Sequence, residues 1–97
     1  MATAEDNFTV FYDATWSRTV ACAYAVTGDL GAAEEAAQEA YTRAWPRWAT
    51  LAAYDDPGAW VRRVAWNLAT SRWRRLRRAQ AYARTLREPQ VDGPGPD

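Results

Sequence analysis

The sequence of 97 residues contains no histidine, no lysine and a single cysteine, Cys22. One cysteine excludes an intramolecular disulfide, and a Cys/His metal site cannot form without histidine. A glycine-rich loop that could hold a phosphate is also absent, so few candidates remain for acid–base, thiol or phosphoryl chemistry. We therefore expect neither an enzyme nor a bound metal or cofactor, and we expect Cys22 to be a small core residue.

Long apolar segments are absent as well. No stretch approaches the ~20 apolar residues that are needed to cross a bilayer, and the N-terminal residues lack an apolar run after a basic start. The sequence therefore predicts a cytoplasmic protein without membrane insertion. A chain of 97 residues suits one domain with a modest core.

Acidic and basic residues are separated along the chain, although the formal net charge is zero. Residues 1–59 contain three arginines and nine acidic residues, whereas residues 60–87 contain nine arginines and no acidic residue. This asymmetry indicates that one end of the domain meets a polyanion, while the other end meets a different partner or repels unwanted ones.

The spacing of apolar residues predicts an all-α fold, a compact bundle of three main helices. The first helix is expected from about Asp6 to Thr27, because apolar residues recur there at helical spacing and Gly28 follows as a stop signal. The second is expected over residues 32–45, with Asp29 as its N-cap and Pro46 as the residue that ends or kinks it.

Asp56 and Pro57 form a helix start, and the third helix is expected to run from there to about Arg84. The remaining segment, residues 88–97, is rich in proline and glycine and lacks apolar partners. We interpret residues 1–87 as the helical domain and residues 88–97 as a disordered tail or the start of a linker.

The third helix is expected to carry arginine and tryptophan on the face opposite its apolar core face. This outer sector contains Arg62, Arg63, Trp66, Asn67, Thr70, Trp73, Arg74 and Arg77. Arginine contacts phosphates and guanine edges, asparagine pairs with adenine, and tryptophan stacks on unpaired bases. The pattern predicts a nucleic-acid-binding face; the alternatives are tryptophans buried against a neighbouring helix, or a helix end that is merely solubilising.

The second helix has two distinct faces. A stripe of small residues, Ala33, Ala37, Ala40 and Ala44, is expected to receive aromatic side chains from the other helices. The opposite face carries acidic and amide side chains beside Trp45. An exposed tryptophan in such surroundings is typical of a protein-binding surface. The alternative is that Trp45 folds over the edge of the core.

Two separated segments, TGDLGAAEEAAQEAYTRAW and DDPGAWVRRVAWNLATSRWRRLRR, resemble region 2 of the extracytoplasmic-function (ECF) group of bacterial RNA polymerase sigma factors. In that family a Gly-Asp precedes an acidic helix that contains Gln-Glu and ends in Ala-Trp. A Pro-x-x-Trp then begins an arginine-rich helix that contains asparagine. The resemblance covers about residues 8–84. The use of arginine without lysine is similar to that in proteins from high-GC actinobacteria.

The resemblance implies a transcription initiation factor domain that docks on the RNA polymerase core and recognises and helps open the −10 promoter element. It assigns docking on the clamp helices of the largest subunit to Glu34, Glu35, Gln38, Glu39, Arg43 and Trp45. It assigns contacts with the nontemplate strand to Arg62, Arg63, Trp66, Asn67, Thr70, Trp73, Arg74 and Arg77. The connector over residues 48–55 is the implied base pocket, with Tyr54 as the stacking residue.

One alternative is a helical protein-interaction module that engages an inhibitory anti-sigma factor or a polymerase subunit without reading DNA. It would explain the second helix but would leave the tryptophan and arginine face of the third helix without a use. The family also carries a second domain, region 4, and no counterpart follows here. We therefore expect this chain alone to bind promoter DNA weakly. A monomer in isolation is the default expectation for such a domain.

Overall fold

The structure, a computed structural model that describes residues 1–87, consists of three long helices and one short one. They are α1 (Ala4–Thr27), α2 (Leu30–Ala44), α3 (Trp48–Leu51) and α4 (Pro57–Arg87), and a 3-10 turn (Trp45–Arg47) lies between α2 and α3. No strand occurs within the described range. The predicted all-α bundle of three main helices is confirmed, and the predicted tail, residues 88–97, lies outside the described residues.

Helix α1 has well-defined signals at both ends. Thr3 caps it: the Asp6 backbone N–H donates to Thr3 Oγ1 at 3.0 Å, and the Thr3 N–H donates to Asp6 Oδ2 at 3.1 Å. This capping box starts the helix two residues before the predicted position. Gly28 ends the helix as expected, with φ of 64°, a left-handed conformation that favours glycine.

The two turns that follow also use the predicted capping residues. The Ala32 N–H donates to Asp29 Oδ1 at 3.0 Å, which starts α2, and the Ala59 N–H donates to Asp56 Oδ1 at 3.1 Å, which starts α4. Helix α2 stops just before the turn that contains Pro46, as predicted.

Helix α3 corrects the sequence-based description of the connector. Residues 48–51 form a helical turn that places Trp48 and Leu51, three positions apart, on one side. Both are buried, and Trp48 packs against Phe8 and Phe11 at ring-centroid distances of 5.2 and 4.9 Å. After α3, residues 52–56 are all exposed.

The core lies where the alanine stripe of α2 meets α1 and α4. The four alanines of the stripe, Ala33, Ala37, Ala40 and Ala44, are completely buried, and so is the neighbouring Ala36. Aromatic side chains of α1 and the first turns of α4 pack against this surface around Tyr41. This packing confirms the prediction that aromatic side chains lie on the stripe. It is possible because methyl side chains let the neighbouring helices approach closely.

Helix α4 extends beyond this core. Val61, Ala65 and Ala69 are buried, whereas from Trp73 onward every residue to the end of α4 is exposed except the half-buried Ala83. Cys22 is also only half-buried, with Sγ 3.9 Å from the Arg62 carbonyl oxygen between α1 and α4. Cys22, expected as a small core residue, thus lies at the margin of the contact between α1 and α4.

A small hydroxyl cluster joins α1 to α2 inside the bundle. The Tyr41 hydroxyl lies 2.6 Å from Thr15 Oγ1 and 2.9 Å from Thr19 Oγ1, and Thr19 is completely buried. These hydrogen bonds satisfy polar atoms that would otherwise be costly to bury. They fix the position of Tyr41 relative to α1.

Replacing Tyr41 with phenylalanine is expected to lower the free energy of unfolding by about 1 kcal/mol, because the two threonine hydroxyls lose their shared partner. Urea unfolding followed by circular dichroism measures this. Tyr82→Phe is the matched control, since Tyr82 is 67% exposed and should show no change. Equal stabilities for the two variants would contradict a stabilising role for the hydroxyl cluster.

Candidate functional site

The outer side of α4 presents exposed arginine, tryptophan and asparagine side chains. We call this the arginine face and define it by Arg63, Trp66, Asn67, Trp73, Arg74 and Arg77, all of which are exposed. Trp66 is 46% exposed and Trp73 is 40% exposed, which excludes a fully buried position for either ring. The face is open because α4 contacts the bundle through the opposite side, at Val61, Ala65 and Ala69.

One pair on the arginine face has a defined geometry. The Arg77 guanidinium lies 5.0 Å from the centroid of the Trp73 ring, one helical turn away. This is a cation–π contact, which holds both planar groups in one orientation. The pair therefore combines a phosphate-binding cation with a ring that can stack on a base.

Two residues predicted for this face are only partly accessible to solvent. Arg62 has a side chain only 19% exposed, with Nη2 3.3 Å from Asp56 Oδ2. It follows the buried Gly58 by one turn, so it lies at the edge of the contact with α1. Thr70 is half-buried, and its Oγ1 is buried without a hydrogen-bond partner within residues 1–87. Its short side chain lies one turn from Trp66 and from Trp73, which limits the access of solvent.

Tyr54 stands at the start of α4, apart from the tryptophans. It is 47% exposed, and its backbone N–H donates to the Leu51 carbonyl at 3.0 Å. Since Trp48 and Leu51 belong to the core, Tyr54 is the aromatic side chain that the connector offers to solvent. The predicted base pocket thus reduces to the turn that carries Tyr54.

A cleft beside the start of α4 was missed by the sequence analysis. It is lined by Thr42, Arg43, Pro46, Arg47, Trp60 and Val64. Two cations and a half-buried indole meet there because the turn at Pro46 brings the end of α2 next to α4. The sequence feature that could have indicated this cleft is Trp60. It begins the arginine-rich segment but lies on a different side of α4 from Trp66.

The outer side of α2 forms the second surface. We call it the acidic face and define it by Glu34, Glu35, Gln38, Glu39, Arg43 and Trp45. These side chains are exposed except for the half-buried Glu39, whose Oε2 lies 3.2 Å from Arg43 Nε. The structure thus places five of the six predicted docking residues on α2, and the sixth, Trp45, is the first residue of the 3-10 turn that follows it.

Trp45 combines both predicted environments. It is 45% exposed, yet its ring centroid lies 5.1 Å from that of Phe8. It borders a shallow groove with Phe8, Tyr12, Gln38, Tyr41 and Thr42. Burial, and to a lesser extent the nearby Tyr41 and Asp13, raise the pKa of the Tyr12 hydroxyl above its ordinary value. The raised pKa keeps the Tyr12 hydroxyl protonated to a more alkaline pH than an ordinary tyrosine.

One ion pair connects α4 with α2, the helices that carry the two surfaces. Arg72 Nη1 of α4 lies 3.6 Å from Glu35 Oε1 of the acidic face, too far for a hydrogen bond. Sequence patterns could not reveal this pair, because the residues lie on different helices. Among residues 1–87, no cluster of three metal-ligating side chains occurs, and no helix is both long and apolar enough to span a membrane.

Comparison with known families identifies the class of the domain. The family model of Sigma-70 region 2 matches residues 12–79, which include most of α1, all of α2 and α3, and the larger part of α4. The chain belongs to this family. Comparisons with curated proteins and with solved structures gave no significant match.

The family assigns a general role to the domain. The chain is a sigma factor domain, and its role is in transcription initiation. Region 2 domains of this family interact in general with the RNA polymerase core and with promoter DNA. The family is one of transcription factor domains and is not an enzymatic one.

Proposed function

We propose that this domain is a region 2 of the ECF group that docks on the RNA polymerase core and reads the nontemplate strand of the −10 element. The observation that carries the proposal is the exposure of Trp66 and Trp73 on a helix face with three arginines and no acidic residue. Large rings exposed among cations suit a ligand that is both flat and anionic.

The arrangement of the arginine face favours single-stranded DNA over duplex DNA. Trp66 and Trp73 are separated by two helical turns, about 10 Å along α4. A ring can stack on a base only after the base leaves its neighbours, whereas the arginines can contact phosphates of either form. Tyr54 adds a third exposed ring near the start of the same helix.

The free energies of these contacts decide whether the domain alone can open a DNA duplex. Unstacking and unpairing a base costs a few kcal/mol, and stacking on an aromatic side chain returns about 1–3 kcal/mol. The domain therefore captures bases that are already unpaired, and the polymerase contributes the remaining free energy of promoter opening. Melting of a −10-like duplex by the isolated domain in low salt would contradict this division.

The acidic face supports a separate protein partner. It includes Trp45, a side chain type enriched among binding hot spots, which lines a groove together with Gln38 and Thr42. We propose that this face meets the clamp helices of the largest polymerase subunit. An inhibitory anti-sigma factor would compete for it. Because the acidic face and the arginine face belong to different helices, core enzyme and DNA can be bound at the same time, in the cytoplasm of what we infer to be an actinobacterium.

The first test compares oligonucleotides by fluorescence anisotropy across a salt series. Selective binding of nontemplate −10-like single strands over random pools, lost in Arg63→Ala and in Asn67→Ala, would support readout by α4. Binding that depends on salt but not on sequence would reduce α4 to an electrostatic contact. Absence of binding would instead favour a protein-interaction module that uses the acidic face.

Substituting Trp73 with alanine is expected to weaken single-strand binding about tenfold, because one stacking platform is lost. Trp45→Ala is the matched control: Trp45 is 45% exposed and Trp73 is 40% exposed, but they lie on different faces. Trp45→Ala should leave DNA binding unchanged and weaken binding to core polymerase, and Trp73→Ala should do the reverse. Equal effects of both variants on DNA would argue against distinct surfaces.

A further inference from the structure

The carboxylate of Asp56 has two separate tasks at the start of α4. Oδ1 accepts a hydrogen bond from the Ala59 N–H at 3.1 Å, the N-cap contact. Oδ2 accepts one from Arg62 Nη2 at 3.3 Å. The first contact starts the helix, and the second ties the end of the connector to a side chain one turn further along α4.

The surroundings of Arg62 show that its guanidinium is directed toward the connector. A Cβ atom at Gly58 would lie 3.0 Å from Arg62 Nη1 and 3.3 Å from Asp56 Oδ1, so the ion pair passes closely over this glycine. The side chain is 19% exposed, whereas the Asp56 side chain is 63% exposed. Arg62 is thus held against the helix start, in contrast to the exposed arginines of the arginine face.

The other end of the connector is anchored in the core. Leu51 is buried, and its carbonyl accepts the Tyr54 N–H at 3.0 Å. The Ala52 N–H donates to the Trp48 carbonyl at 2.8 Å. Tyr54 therefore stands between a fixed point in the core and the Asp56–Arg62 pair, two residues away.

We propose that Arg62 is a positioning residue: through Asp56 it orients the turn that carries Tyr54, and so sharpens the preference of Tyr54 for one base. This inference rests on the proposed function, in which Tyr54 stacks on an unpaired base. It takes Arg62 out of the set of phosphate contacts. The salt dependence of binding then reflects the other arginines alone.

The variants Asp56→Asn and Arg62→Gln separate the ion pair of Asp56 with Arg62 from the N-cap hydrogen bond that Asp56 accepts. Asparagine keeps an oxygen for the N-cap and removes the charge, so α4 still starts correctly. Each single variant and the double variant should lower the preference for the selected base by the same factor, about threefold, as fits a partly exposed ion pair. None of the three should change the slope of affinity against salt.

The experiment uses the complete 97-residue chain and a pool of single-stranded DNA with randomised positions. The pool is sequenced before and after binding, and anisotropy across a salt series gives the slope. Arg74→Gln is the reference for a phosphate contact: it should lower the slope by about 0.7 and keep the base preference. Tyr54→Ala should abolish the preference at one position.

The outcomes distinguish the inference from the function on which it rests. If Arg62→Gln lowers the slope as Arg74→Gln does while Asp56→Asn keeps the base preference, Arg62 contacts DNA directly and the inference is overturned. If Asp56→Asn and Arg62→Gln both keep the base preference while Tyr54→Ala loses it, the positioning role of Arg62 is overturned but the proposed function is left intact. A wild-type chain that enriches no base, or Tyr54→Ala without effect, overturns the stacking role and the inference with it.

Discussion

Replacing Arg74 and Arg77 together with glutamate is expected to lower the affinity for single-stranded DNA about a hundredfold at low salt. Both side chains are exposed on the arginine face. Reversal removes two phosphate contacts and adds two repulsive charges, and it also breaks the cation–π contact between Arg77 and Trp73. The slope of affinity against salt should fall by about 1.4, since each lost contact with a single strand contributes about 0.7.

The same variant should bind core polymerase as the wild type does, because the acidic face is unchanged. A triple variant of α1, Arg18→Glu with Ala14→Glu and Ala25→Glu, alters the net charge by the same amount at exposed positions. It controls for long-range electrostatics. Equal losses of DNA affinity in both variants would mean that total charge, and not the arginine face, determines binding.

Enlarging the alanine stripe is expected to have the largest effect on stability. Ala37 is completely buried in a cluster with Val20 and Ala23 of α1 and Ala69 of α4. Leucine at position 37 has no space, so the helices must separate or the side chain must take a strained rotamer. We expect a loss of about 3 kcal/mol in the free energy of unfolding, which lowers Tm by about 10–20 °C in a domain of this size.

Thermal unfolding followed by circular dichroism measures this effect. Ala25→Leu is the control, because Ala25 is exposed on α1 and the substitution should change stability by less than about 0.5 kcal/mol. A variant Ala37→Leu with the stability of the wild type would show that the bundle can adjust its helix spacing at this point.

The residues that start and end the helices could be predicted from the sequence. Asp29 and Asp56 cap helices by accepting hydrogen bonds from nearby backbone N–H groups, and Gly28 ends a helix because it has no side chain. These effects are local, so the three residues predict helix ends without knowledge of distant contacts. Helical periodicity placed Trp66 and Trp73 opposite the apolar side of α4 but left open whether a neighbouring helix covers them. The structure shows that both rings are exposed. The docking roles of both faces stay predictions.

What the sequence did not reveal depended on contacts between elements. Trp48 and Leu51 appeared to belong to an irregular connector because a single helical turn is too short to show periodicity. Arg62 was placed on the outer face because its angle lies near the boundary, and its partner Asp56 lies before the helix. The ion pair of Glu35 with Arg72 requires the mutual orientation of α2 and α4. Each of these is a property of the packed bundle.

The extension of α4 past the bundle has a consequence for the balance between helix and coil. Residues 73–87 carry six arginines without an acid and have few contacts with other helices. Isolated helices of ~12–15 residues are marginal in water, and like charges one turn apart weaken them further. Anions that neutralise these arginines therefore favour the helical form. Binding of a nucleic acid strand along α4 should raise the helix content of the last turns, so that part of the binding free energy is spent on local ordering.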